Sequence, residues 1–143
     1  MTNDSKRYEE YIQTVHGNIH CVIAGEGDGL VFLHGALGTG PAHFRDQIGY
    51  FADRYKVIAP DFLGYGKSSR RFSFDGNLYV KDAEDIAELI RKLGFETVNL
   101  CGFSDGAIVA MIVAQEYPEL LHSLTVIGGQ AIFDDESYEM NTT

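Results

Sequence analysis

Apolar residues recur along this chain with two alternating periods. Tyr8–Val15 and Ile19–Ala24 alternate apolar and polar positions on either side of His16-Gly17-Asn18. Two such runs around a Gly-Asn turn predict an antiparallel hairpin. Leu30–Leu33, Tyr55–Ala59, Thr97–Phe103 and Ser123–Ile127 read as buried strands, because strands covered on both faces lose the alternation. Between them the spacing changes to three and four. Pro41–Ala52 suits a short helix. Asn77–Leu93 carries one stripe, Val80, Ala83, Ile86, Ala87, Ile90 and Leu93, the signature of a helix with one buried face. Asp82, Glu84 and Asp85 early in it, with Arg91 and Lys92 late, match the helix dipole, and Gly94 suits its stop. Ser104–Glu116 is a helix apolar nearly all round, ended by Tyr117-Pro118. The predicted order is β-β-β-α-β-α-β-α-β. It implies an α/β fold with a mainly parallel sheet, covered on both faces, behind an amino-terminal antiparallel hairpin. Binding sites in such sheets lie at the carboxyl ends of the strands.

Composition narrows the function classes. At 143 residues and 45% hydrophobic content the chain is long and apolar enough for one domain with a core, which excludes disorder. The apolar run Ala107–Ala114 falls short of the roughly 20 residues that span a bilayer. Met1–Glu10 is polar and lacks the apolar core of a signal peptide, so a cytoplasmic location is expected. The net charge of −10 argues against nucleic acid and against a membrane surface as partners. Cys21 and Cys101 lie in apolar runs, and neither they nor the histidines have ligand spacing. Buried thiols, no metal and no cofactor are the expectation.

Three motifs border the predicted cleft. Gly102-Phe103-Ser104-Asp105-Gly106 follows a buried strand and opens a buried helix, the setting that a G-x-S-x-G nucleophile turn requires. Such a turn lifts the serine hydroxyl above the sheet, and the helix N-terminus behind it supplies N–H groups for a developing oxyanion. The competing reading is a βα turn with an N-capping serine. His34-Gly35-Ala36-Leu37-Gly38 follows the first parallel strand. The N–H of Ala36 or Leu37 can face the same oxyanion, paired with that of Asp105. Dinucleotide binding is the rival there, but Gly35, Gly38 and Gly40 are spaced G-x-x-G-x-G rather than G-x-G-x-x-G. Asp61 opens the third motif, which runs to Ser69. Its carboxylate either takes part in catalysis or braces the turn.

These three motifs, in this order, resemble the α/β-hydrolase family over about Tyr8 to Gln130. Ala36-Leu37-Gly38-Thr39-Gly40, Ser104-Asp105-Gly106 and Asp134-Asp135-Glu136-Ser137 resemble most closely its biphenyl-hydrolase-like branch, which includes valacyclovir hydrolase. The resemblance implies a three-layer sandwich and hydrolysis of small-molecule esters through an acyl-enzyme on Ser104. The substrate-facing candidates are Leu37, Phe103 and Asp105, the last of which would attract a cationic group such as an ammonium. Phe62, Tyr65 and Phe72 would add an apolar wall, and Arg70 and Arg71 read as a solvated loop pair.

The chain departs from the family in its acid and base. The order there is Ser, acid, His, and the one histidine after Ser104 is His122. A helix of about 19 Å separates it from Ser104, far beyond the ~3 Å reach of a general base. His34 and His43 lie nearer the correct face, His34 in the oxyanion turn and His43 near a helix start. His16 and His20 read as hairpin residues. Asp134 and Asp135 follow a strand end but have no histidine to orient. The expectation is a single partial domain over residues 1–143, with a polar lead-in (1–7), an acidic tail (134–143) and a sheet that stops after its sixth strand. The apolar edge of Ser123–Ile127 would then favour self-association. The alternatives are a non-catalytic scaffold or interaction module, or a subunit completed by a partner chain.

Overall fold

A computed structural model describes residues 7–36, 38–71 and 77–128. Six strands form one sheet: β1 (Tyr8–Gln13), β2 (Asn18–Ala24), β3 (Asp28–Leu33), β4 (Tyr55–Pro60), β5 (Val98–Phe103) and β6 (Leu121–Ile127), in the spatial order β1-β2-β4-β3-β5-β6. β1 pairs antiparallel with β2, and β2 with β4. The β4–β3, β3–β5 and β5–β6 pairs are parallel. Helices α1 (Gly40–His43), α2 (Arg45–Phe51), α3 (Leu78–Lys92) and α4 (Asp105–Glu116) cover it.

The two faces bury different residues, as period-two alternation requires. On β3, Val31 and Leu33 join Ile58, Ile86, Ile90, Leu100 and Val113 in the core under α3 and α4. Phe32, between them, joins Phe44, Ile48, Val57 and Cys101 in the core under α1 and α2. The chain leaves β3 by one face to reach β4 and returns by the other to β5. The strand order therefore reverses around β3, and a crevice opens between the carboxyl ends of β3 and β5.

Four details differ from the sequence reading. Pro41–Ala52 is two short helices, because Phe44 leaves the helical region (φ −120°, ψ 27°) with its ring stacked 4.6 Å from Phe32. Val80 is exposed, whereas Asp82 and Asp85 are buried on α3. β6 starts at Leu121, after a 3-10 turn at Pro118–Leu120, so His122 lies in the strand itself, and Ser123–Ile127 is exposed rather than buried because it is an edge strand. Arg71 is buried rather than solvated. Leu37, Phe72, Gln130 and the acidic stretch from Asp134 lie outside the described residues.

Candidate active site

Ser104 joins β5 to α4 with φ 57° and ψ −117°, and among the described residues no other non-glycine has a positive φ. An L-residue there is strained by roughly 1–3 kcal/mol and persists only where its surroundings impose it. The surroundings are the two flanking glycines. A Cβ on Gly102 would stand 2.3 Å from the carbonyl oxygen of Gly106, and one on Gly106 would stand 2.2 Å from that of Leu33. The Ser104 N–H donates to the Ile127 carbonyl (3.0 Å), which ties the turn to β6. The Ser104 hydroxyl makes no capping hydrogen bond. The N-cap reading therefore fails, and the turn presents a half-buried hydroxyl at the crevice.

The second side of the crevice follows from strand register. Leu33 pairs with Gly102, so His34-Gly35-Ala36 leaves β3 level with Ser104. Gly35, Ala36 and Asp105 line one small cavity of about 40 Å³. Asp105 is the first residue of α4, where an N–H has no partner within the helix. Phe62, Tyr65, Leu78 and Val109 form the apolar part of the same wall. Phe103 is exposed and does not line this cavity.

The polar part of the wall was not legible as such. Arg71 and Asp82 line the cavity as a buried ion pair, and Arg71 also donates to the Leu63 carbonyl (3.0 Å). Burial pushes the Asp82 carboxyl up to about 6, outweighing the Arg71 guanidinium that pulls it down. Tyr79 hydrogen-bonds the Asp105 carboxylate, and burial first, then that charge, pushes its phenol up. The available signal was spacing: Tyr79, Asp82 and Ile86 stand three and four apart on one helical face.

The described histidines do not serve Ser104. His34 accepts the Phe62 N–H at Nε2 (3.0 Å) and its Nδ1 donates to the Gly35 carbonyl (2.7 Å), so it locks the turn. His20 lies on β2 between Asp61 (2.8 Å) and Glu9 (2.7 Å). Three strand spacings separate β2 from β5, about 14 Å. His16 pairs with Glu84 (2.9 Å) on α3. His122 is exposed at the start of β6, opposite the crevice. The His43 side chain lies outside the described set. Asp61 braces its turn, accepting N–H groups from Gly40 and Lys67 (3.0 and 3.1 Å). Burial pushes the Cys21 thiol up to about 12 and Cys101 upward too, which leaves both inert as nucleophiles. Among the described residues no cluster suits a metal ion, and no helix is long and apolar enough to cross a membrane.

Comparison with known proteins gives a consistent picture. A family model described as the alpha/beta hydrolase fold matches residues 29–143. Human "Serine hydrolase BPHL" is 36% identical over 121 residues, covering 82% of this chain and 42% of that protein. Its mouse counterpart is 34% identical, covering 83% and 42%. Among solved structures, the epoxide hydrolase CorEH superposes with a TM-score of 0.78 at 30% identity, over 84% of this chain and 41% of that one. A putative alpha/beta hydrolase from Nostoc gives 0.79 at 30% identity, over 85% and 43%. The chain thus spans less than half the length of the relatives it matches.

Proposed function

Because the chain belongs to the α/β-hydrolase family, we propose that it carries the nucleophilic half of a serine hydrolase acting on small ester-type substrates. The observation that carries the reading is the strained Ser104 backbone between two glycines that admit no side chain. Strain of that kind is retained where it aims a reactive group. Ser104 Oγ attacks the ester carbonyl carbon, and the carbonyl π pair moves onto oxygen. The N–H groups of Ala36 and Asp105 hold that oxyanion. Collapse expels the alcohol and leaves an acyl-enzyme, which water then hydrolyses. The serine proton passes to a base and on to the leaving alkoxide. A histidine oriented by an acid, from outside the described side chains or from a partner chain, supplies that base. Without them an oxyanion hole retains only part of the rate.

The cavity suggests the substrate class. Phe62, Tyr65, Leu78 and Val109 suit a small apolar acyl group. The Asp105 carboxylate, held by Tyr79, suits a cationic substituent such as an ammonium. Leu37 and Phe103 remain proposed substrate contacts, and no cofactor is required. The second reading is a scaffold or interaction module that kept the fold, favoured by the absence of a base for Ser104 among the described residues.

The test is hydrolysis of p-nitrophenyl acetate by the chain and by Ser104→Ala, with fluorophosphonate labelling read by mass spectrometry. Serine-dependent turnover or a label on Ser104 supports the proposal. Equal background rates with no label overturn it in favour of the scaffold. Styrene oxide belongs in the same assay, since several structural neighbours are named epoxide hydrolases. Diol formation unaffected by Ser104→Ala would also overturn the serine mechanism.

A further inference from the structure

Asp61 gathers three separate pieces of chain onto one buried carboxylate. Its Oδ1 accepts the Gly40 N–H (3.0 Å), and its Oδ2 accepts the Lys67 N–H (3.1 Å) and the His20 ring at Nδ1 (2.8 Å). The site is tightly built. A Cβ on Gly66 would stand 2.3 Å from Asp61 Oδ2, and one on Gly40 would stand 2.6 Å from the Pro60 carbonyl oxygen. The Ser68 hydroxyl donates to the Asp61 carbonyl (2.6 Å) and accepts the His20 N–H (2.8 Å).

His20 is the outer clamp on this carboxylate. Its side chain is almost wholly buried, and its Nε2 faces Glu9 Oε1 at 2.7 Å. Glu9 also pairs with Lys67 Nζ (3.3 Å) and is held below the usual carboxylate range by its bonds to His20 and Lys67. Each ring nitrogen meets a carboxylate oxygen, so the ring is held between Asp61 and Glu9. The Asp61 rotamer is thereby fixed from behind.

Gly40 closes the loop that Ala36 opens. His34 pins the near end of that loop to Phe62, and Asp61 pins the far end. An oxyanion donor is effective only when it is held in place before the reaction. We infer that His20 is a positioning residue for the Ser104 chemistry: through Asp61 and the Gly40 N–H it fixes the loop that presents the Ala36 N–H. The inference rests on the proposed nucleophile reading. His20 itself stands three strands away from β5 and touches no substrate.

Two substitutions separate positioning from general support. An asparagine amide reaches the place of Nδ1, so His20→Asn keeps a donor for Asp61 and loses the one for Glu9. A glutamine amide reaches the place of Nε2, so His20→Gln does the reverse. In Ser104-dependent hydrolysis of p-nitrophenyl acetate, His20→Asn is expected to keep kcat within about threefold. His20→Gln is expected to lose about 30-fold in kcat with KM little changed, since small misplacement of catalytic donors costs up to about 100-fold. The amide spectra of the same proteins give a readout independent of turnover. His20→Gln should shift the Ala36 and Gly40 amide resonances and speed Gly40 hydrogen exchange about tenfold or more, while His20→Asn should leave both near wild type. Equal behaviour of the two variants, or unmoved Ala36 and Gly40 amides in folded His20→Gln, overturns the inference. Absence of Ser104-dependent turnover in wild type overturns the nucleophile reading instead, and the amides still decide the anchoring.

Discussion

Asp85 offers the sharpest test of the energetics. It lies on α3 with one oxygen, Oδ1, accepting the Thr14 hydroxyl (2.9 Å), and its other oxygen is buried without a hydrogen-bond partner. Burial pushes its carboxyl from 3.8 up to about 6; the Thr14 bond and the charges of His16 and Arg71 oppose this, and Glu88 adds to it. A carboxyl raised on folding holds its proton more tightly in the folded state. The associated stability is complete below about pH 3.8 and is lost as pH rises through about 6. At about 1.4 kcal/mol for each pH unit between the two values, the ionised group costs the fold about 3 kcal/mol. Asp85→Asn cannot ionise. Its unpartnered amide carries a fixed penalty of about 1–3 kcal/mol, which cancels when one variant is compared across pH. The stability of Asp85→Asn relative to wild type should therefore rise by about 2–3 kcal/mol between pH 4 and pH 8. Urea unfolding followed by circular dichroism at several pH values measures it. Stability curves that run parallel across that window would refute the reasoning, because Asp85 would then ionise without penalty.

Three further outcomes follow from the same contacts. Gly106→Ala places a Cβ 2.2 Å from the Leu33 carbonyl oxygen, and should cost about 3 kcal/mol or more, at the upper end for overpacking; a melting temperature within a few degrees of wild type would contradict the tight elbow. Ser104→Gly relieves the positive φ and should be about 1–2 kcal/mol more stable than Ser104→Ala in thermal melts. β6 stands at the edge of the sheet with Leu124, Val126 and Ile127 exposed, so Val126→Lys should lower the self-association proposed for this edge. Sedimentation showing a wild-type monomer at high concentration would end that proposal.

Much of the site was readable because its signals are local. A glycine two residues either side of Ser104, after a buried strand and before a buried helix, constrains only near neighbours in the chain. The strained serine follows directly from that segment. Leu30–Leu33 and Thr97–Phe103 were legible as buried strands for the same reason. Asp61 was left between two roles, and only its partners Gly40, Lys67 and His20, from three parts of the chain, assign it to bracing. Arg71 reads as solvated because a charged loop residue usually is, and the pattern of α3 carries no sign that Asp82 is buried beside it. Their burial depends on the pairing of Arg71 with Asp82 of α3 at the cavity wall, a contact between separate segments.

The sequence by itself determined the alternation of strands and helices and the two glycine turns, with Ser104 at the tip of the second, since each is written in periodicity or in residues a few places apart. Only the tertiary structure decided that β3 lies between β4 and β5, so that Ala36 and Asp105 meet across one crevice. It alone decided that His20 is spent on Asp61 and Glu9, and that Asp85 is buried. Those outcomes depend on which strands pair and which faces pack. Pairing is a competition among distant segments for shared hydrogen bonds and buried area, and no local pattern records who wins it.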